Sequence, residues 1–396
     1  MKTKELSWKS IGEIAEVVTG STPKKSNPNF YGGSIPWIKP GDVQNRLTPI
    51  RFTADTLSEL GAKQARILPP KSILVTCIGE IGRVGITDGP SATNQQINAI
   101  IFNNEVIPEY GFYAILYSRQ SLEKASTATT VPILNKTNLQ KVSIPIIPKD
   151  EQFALAKKMS HIEDARKNRT NSIAIAEEYL RSLFIEMFGD PNMNPKNFSI
   201  SRLDQVTNIG SGITKGKKYG LKKLVAVPYI RVANVQAGYL DLKEIKTIDV
   251  AEAEIERFLL KSGDVLMTEG GDWDKLGRGA VWDDSISPCI HQNHIFRVRP
   301  NVKKILPFYL DALLQTSYAK SFFQRASKQT TNLATINKTQ LSAFPVPLPP
   351  IEQQQKFCEM RNSVAKLVFQ MEKSATELDA LMQAVLAESF STGVTL

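Results

Sequence analysis

The sequence predicts an α+β chain made by duplication, with two mixed α/β modules and two long helices that pack on each other. Three observations carry that reading. The chain matches itself at an offset of about 192 residues. Two stretches, each about forty residues long, carry apolar residues at steps of three and four. Net charge alternates between the segments so defined.

The repeat sets the boundaries of everything else. Ile35-Pro36-Trp37-Ile38 returns as Val227-Pro228-Tyr229-Ile230, and Val43-Gln44 as Val235-Gln236. Thr19-Gly20-Ser21-Thr22 matches Ser211-Gly212-Ile213-Thr214, and Ile73-Leu74-Val75-Thr76 matches Val265-Leu266-Met267-Thr268. Small insertions then widen the offset. Gly82-Arg83 meets Gly277-Arg278, and Asn135–Leu139 meets Asn337–Leu341. At the end, Ile144–Pro148 with Glu151-Gln152 is matched to Phe344–Leu348 with Glu352-Gln353. A repeat near 200 residues is too long for a solenoid unit, so a domain and its trailing segment are duplicated. The resulting division is 1–148, first module; 149–190, first spacer helix; 191–348, second module; 349–396, second spacer helix.

In the first module, Ser72–Cys77 is a β-rich run bounded by Gly and Pro, and Tyr110–Tyr117 is a helix crowded with aromatic and aliphatic residues. Asp264–Thr268 and Pro307–Leu314 repeat that pair in the second. Residues 149–188 hold no Pro or Gly and read as one helix, stopped by Gly189-Asp190-Pro191. Its apolar stripe includes Ile173, Ala176, Leu180, Leu183 and Met187. In the last segment Phe357, Met360, Val364, Leu367, Met371, Ser374, Leu378, Leu381 and Val385 form a coiled-coil seam. Neither stripe is stable alone in water, so the helices are expected to pack through Ile173, Leu180, Leu183, Val364, Leu367, Leu378, Leu381 and Val385. Pro-rich straps, Ile144–Pro148 and Phe344–Pro350, precede the helices and are expected to hold the modules away from them.

The chain has 49 basic and 39 acidic residues, net +10, with pI about 9.3. By segment the net charge is +5, −1, +8 and −2. A chain basic for solubility alone has no reason to alternate in this way. The surplus points to a polyanion bound by the two modules. At 42% hydrophobic and 22% charged residues, disorder is excluded as the dominant state. No run of 18 apolar residues occurs, and the start lacks a signal-like apolar stretch. Cys77, Cys289 and Cys358 lie far apart and fit neither a disulfide framework nor a zinc ribbon, so a cytoplasmic location is expected.

The order of module, Pro-rich strap with Glu-Gln, and long helix, twice over, resembles the specificity (S) subunit of type I restriction–modification enzymes. Ile144–Gln152 and Phe344–Gln353 look like that family's IPxPPxxEQ signature, although the first copy has Pro148-Lys149-Asp150 where the family has a Pro-Pro pair. The openings Ile11–Lys25 and Leu203–Lys217, and the Asn-Lys-Thr segments, also resemble it, so the likeness spans nearly the whole chain. The resemblance implies two target-recognition domains, each reading one half of a split double-stranded DNA site. It implies an antiparallel coiled coil that sets the gap, and docking of two modification (methyltransferase) subunits with restriction (translocase–nuclease) subunits. It implies no catalysis and no cofactor in this chain; S-adenosylmethionine, ATP and Mg belong to the partners.

Candidate DNA contacts follow from residue chemistry. Thr19, Ser21, Thr22, Lys24 and Lys25, and their counterparts Ser211, Thr214, Lys215, Lys217 and Lys218, supply hydroxyls and cations suited to phosphate. Arg83 and Arg278 lie in Gly-flanked turns and suit guanine; Asn94 and Gln95, with Gln292 and Asn293, suit adenine. Thr129, Thr130, Thr330 and Thr331 close polar loops, and Trp273 and Lys275 lie in a loop three residues longer in the second copy. Two further readings are a stand-alone DNA-binding protein of the same fold and a metal-dependent enzyme using Cys289, His291 and His294. The first copy has no Cys or His at the aligned Ala92–Ile97, and zinc wants four ligands at conventional spacing. Asp241, Glu244 and Lys246 could mimic a nuclease cluster. No P-loop occurs, and neither Pro-Pro pair follows Asn or Asp as adenine methylation requires.

Overall fold

The computed structural model describes residues 6–127, 131–216, 219–220, 223–271, 273, 276–329 and 334–390. The chain divides into two compact units, Met1–Ser172 with Met371–Leu396, and Ile173–Gln370. Each unit contains one module with part of each long helix.

In the first unit the order is β1 (Ser7–Ser10), α1 (Ile11–Ile14), β2 (Ala15–Thr19), β3 (Tyr31–Ile38), β4 (Thr56–Leu57), α2 (Glu59–Ala62), β5 (Ile73–Thr76), β6 (Val84–Ile86), β7 (Ala92–Thr93), β8 (Ile97–Phe102), α3 (Pro108–Tyr117), α4 (Arg119–Lys124), α5 (Lys136–Lys141) and β9 (Ser143–Ile146). Helix α6 (Lys149–Phe188) follows. An antiparallel sheet in the order β2-β8-β5-β6 carries the core, and β4-β3-β7 forms a second sheet with β3 and β7 parallel. All four residues of β5 are buried, as befits a short aliphatic central strand.

The second unit repeats this plan with β10 (Ser199–Arg202), α7 (Leu203–Val206), β11 (Thr207–Ser211), β12 (Leu224–Ile230), β13 (Lys246–Ala251), α8 (Ile255–Phe258), β14 (Val265–Thr268), β15 (Gly270–Gly271), β16 (Gly279–Val281), β17 (Ile290–His291), β18 (Ile295–Pro300), α9 (Pro307–Leu314), α10 (Ser317–Ala326), β19 (Lys328–Gln329), β20 (Ala334–Thr335), α11 (Lys338–Ser342), β21 (Pro345–Leu348) and α12 (Ile351–Phe390). Its sheets run β11-β18-β14-β16 and β13-β12-β17, the same orders as in the first unit. The duplication read from the sequence is therefore a duplication of topology. Local devices repeat too. Pro108 and Pro307 open α3 and α9 at the first helical turn, where a missing N–H costs nothing. The Asn-Lys-Thr segments are helix starts: Asn135 and Asn337 cap α5 and α11 by accepting the amides of Asn138 and Gln340.

The straps differ from expectation. They are strands, β9 paired with β1 and β21 with β10, and they bring the helices onto the modules. In the first unit Leu155, Ala156, Met159 and Ile162 of α6 share one core with Ile11, Ile73, Tyr110 and Leu139 of the module. The reason is a buried glutamine. Gln152 is 1% exposed, accepts the Ile107 amide at 2.9 Å, and donates to the Glu105 and Ile147 carbonyls at 3.0 and 2.9 Å. In the second unit Gln354, not Gln353, does this: it accepts the Leu306 amide at 2.8 Å and donates to Lys304 and Pro349 at 3.1 and 2.9 Å. The Tyr110 hydroxyl donates to Pro145 and the Tyr309 hydroxyl to Pro347, in the same register. The structural repeat thus matches Ile144–Gln152 to Val346–Gln354, a correction to the pairing with Phe344–Gln353.

In the first unit the helices pair antiparallel. Arg166 bonds Asp379 at 2.5 Å, and Arg169, one turn on, donates to Ser374, one turn back. Val385 is buried, and Leu378 is partly buried against the same core. In the second unit Leu183 and Leu180 pack with the aromatic cluster of Phe184, Phe188, Tyr309 and Phe357. Ile173 and Val364 are half-buried. The predicted seam needs one correction on α12. Leu367 is 51% and Leu381 46% exposed, while Val368 and Met382 take the inner positions.

Candidate nucleic-acid interface

One edge of each module collects most of the candidate residues. It forms where the loop after β2, or after β11, crosses the turn before β8, or before β18. Gly20 and Gly212 make that crossing: a Cβ on either would lie 2.0 Å from the carbonyl oxygen of Asn94 or His291. The close approach that glycine allows here is therefore to the chain's own backbone. Ser21 donates its amide to Thr93 O at 2.8 Å, and Ile213 donates to His291 O at 2.8 Å. In the second module Asn293 returns an amide to Ile213 O at 2.9 Å. The hydroxyl loop and the amide-bearing turn, read separately in the sequence, are one surface in each module.

Within that edge the side chains divide into committed and exposed groups. Thr19 Oγ1 donates to Asn98 Oδ1 at 2.8 Å, and Thr22 Oγ1 bonds Gln95 Oε1. Asn94 is 8% exposed and locked to Gln96 by two bonds, one to its amide and one to its side chain. Ser21 Oγ and Thr93 Oγ1 are buried there without a bond among the described residues. Lys24, Lys25, Gln95, Ser211, Thr214 and Lys215 are exposed, and Gln292 and Asn293 are half-buried. Lys217, Lys218, Lys275, Thr129, Thr130, Thr330 and Thr331 lie outside the described residues. Trp273 is 44% exposed, its carbonyl accepts from Gln324, and it lines a shallow cleft with Ser321 and Arg325.

The two arginines are engaged within the fold. Arg83 pairs with Glu80 at 3.1 Å and donates to Val43 O at 3.3 Å; Arg278 donates to Gln236 Oε1 at 3.2 Å. Both reach the equivalent stretch of the β3 or β12 exit, which is the work of a turn arginine. A cation the repeat comparison missed is Arg66, which donates to Thr19 O at 2.6 Å and so braces the first opening loop. It has no basic counterpart at the fixed offset, where Phe258 stands.

The Cys289, His291 and His294 group does not assemble. Cys289 is 1% exposed and burial pushes its thiol up to about 12. His291 is 1% exposed, and burial, aided by Arg297, lowers it to about 4. Its Nδ1 lies 3.2 Å from Phe258 O, so the neutral ring donates there. His294 is exposed and bonds Glu269 instead. Among the described residues no three His, Cys, Asp or Glu side chains are gathered to hold a metal. Glu244 pairs with Arg231 and Lys246, which hold its carboxyl below the usual range, as in a surface ion network. Among the described residues no helix is long and apolar enough to cross a membrane.

Comparison with known proteins agrees with the repeat. The family model for the type I restriction modification DNA specificity domain matches twice, over residues 4–175 and 195–373. The type I restriction enzyme MjaIX specificity subunit of Methanocaldococcus jannaschii is 24% identical over 403 residues, covering 97% of this chain and 92% of that one. The HindI specificity subunit of Haemophilus influenzae is 36% identical over 172 residues, covering 42% of this chain and 36% of that one. Among solved structures, the type I restriction–modification S subunit from M. genitalium has TM-score 0.57 at 16% identity, covering 100% and 98% of the two chains. A chain from a study of complex assembly and conformational transition in the type I system has TM-score 0.62 at 18% identity, covering 98% of each. With both modules matched and the same sheet order in each, the chain belongs to the family of type I restriction–modification DNA specificity domain proteins.

Proposed function

We propose that this chain is the non-catalytic DNA-reading subunit of a type I restriction–modification complex. Each module reads one half of a split site through the edge at its opening loop, and the paired helices set the gap. The chain directs methyltransferase and restriction subunits to that site; those subunits supply S-adenosylmethionine, ATP and Mg chemistry. The observation that carries this reading is the pairing of conserved topology with divergent chemistry. Both modules share sheet orders β2-β8-β5-β6 and β11-β18-β14-β16, yet the same edge presents Asn94-Gln95-Gln96 in one and Gln292-Asn293-His294 in the other. Two copies of one scaffold with different edge side chains suit two different half-sites. The charge agrees: the surplus sits on the modules, where phosphates are met, and the helical segments are slightly acidic.

The test is exchange of residues 1–148 for the corresponding module of a relative, followed by mapping of methylated sites in cells carrying the system. One half-site is expected to change while the other half-site and the gap stay the same. A change in both halves, or in neither, would defeat the reading.

A further inference from the structure

We infer that His294, oriented by Glu269, reads a base edge in the half-site of the second module. This rests on the DNA-reading function proposed above and names a specificity residue within it. His294 Nδ1 lies 2.7 Å from Glu269 Oε2, with side-chain exposures of 57% and 32%. The two residues are joined by backbone as well, since the Glu269 amide donates to His294 O at 3.0 Å. The position is central to the edge. His294 follows Asn293, whose amide is bonded to Ile213 O in the opening loop, and Glu269 directly precedes β15 in the loop that carries Trp273.

The fold does not require this pair. In the first module the equivalent residues are Cys77 and Gln96, joined by the same backbone bond, Cys77 N to Gln96 O at 2.8 Å. There Gln96 Oε1 accepts from Asn94 Nδ2 at 2.9 Å, and Cys77 is buried. The shared backbone bond holds the turn in both modules, and an imidazole with a carboxylate is added only in the second. With Nδ1 held by the carboxylate, Nε2 is the nitrogen left to face a base edge, in a fixed direction. In a major groove an imidazole nitrogen so placed meets the base-edge groups that tell one base pair from another. Glu269 is the positioning residue: it fixes which nitrogen faces the base.

The experiment compares the unchanged chain with His294→Ala, His294→Gln and Glu269→Gln in cells carrying the intact system, reading methylated motifs from genomic DNA. Exchange of residues 191–348 identifies which half-site belongs to the second module. His294→Ala is expected to relax one base pair of that half-site by about tenfold, leaving the gap and the other half intact. Glu269→Gln is expected to relax the same position less, and His294→Gln to alter the preferred base there. Both positions are exposed or half-exposed, and a melting measurement on each of the three purified variants verifies the fold. An unchanged motif in all three variants, or an equal loss of methylation across every sequence, would overturn the inference alone. The absence of any split motif with the unchanged chain would overturn the DNA-reading function and the inference with it.

Discussion

Gln354→Ala is expected to lower the melting temperature of the second unit by roughly 10 °C, and Gln152→Ala to do the same to the first. Each glutamine is essentially unexposed and makes three bonds to backbone groups of two segments. Truncation strands one buried carbonyl and leaves a part-buried amide and a part-buried carbonyl without their partner. At about 1–3 kcal/mol for each stranded group, partly relieved by relaxation, the loss comes to about 3–5 kcal/mol. For a unit near 200 residues, one kcal/mol moves the midpoint by about 2–4 °C. Gln353→Ala, at a half-buried neighbour, is expected to stay within about 0.5 kcal/mol. Scanning calorimetry of the three variants decides the register of the strap. A large effect at Gln353 and a small one at Gln354 would show that the matching of Val346–Gln354 to Ile144–Gln152 is wrong.

The strap shows what could be read from the residues and what could not. The repeat was legible because short blocks such as Ile35–Ile38 and Val227–Ile230 sit in β3 and β12, strands whose burial restricts the residue types allowed. The strap's register was not, because Phe344-Pro345 and Val346-Pro347 both offer an apolar residue before proline. Only the third dimension separates them, by placing Val346 beside Pro347, the acceptor of the Tyr309 hydroxyl. Three positions of the α12 seam failed for a similar reason, while Phe357, Val364, Leu378 and Val385 are buried or half-buried. Met360, Leu367 and Leu381 are more apolar than Arg361, Val368 and Met382 taken together, so hydrophobic spacing favours the wrong set. Among the inner residues, Arg361 has its guanidinium 3.8 Å from the centroid of the Phe308 ring, and Met382 packs against the core of the first unit. At the interface, residue type picked out the loops one by one, and it could not predict that they meet or that Arg83 and Arg278 turn inward. Those choices depend on partners such as Glu80 and Gln236.

The polar residue in that seam leads to the second large effect. Asp311 on α9 is 6% exposed, accepts from Gln315 Nε2 at 3.0 Å, and is drawn toward Arg361 on α12. In the first unit the equivalent positions hold Phe112 and Met159, both fully buried. The duplicated fold therefore accepts an apolar pair at this place, and the second copy carries charges instead. Burial pushes the Asp311 carboxyl up to about 6, with Arg361 and Gln315 offsetting only part of the rise. A folded value above the unfolded one means that the folded unit binds the proton more tightly. The contribution of Asp311 to stability is thus fully present below about pH 4 and is lost as the pH rises through about 6, by roughly 3 kcal/mol. Arg361→Met alone removes the attraction and leaves a buried carboxylate, an expected loss of about 3–5 kcal/mol at pH 7. The double change Asp311→Phe with Arg361→Met restores the apolar pair of the first unit. It is expected to match or exceed the parent by about 1–4 kcal/mol at pH 7 and to lose the fall in stability between pH 4 and 6. Urea unfolding at pH 4, 5, 6 and 7 measures both quantities. A double variant that keeps the parent's slope across that window would place the titrating group elsewhere. A double variant as weak as Arg361→Met would mean that α12 needs the guanidinium on Phe308 more than it needs a neutral core. The comparison separates the two roles of Arg361, because only the single change leaves the carboxylate behind.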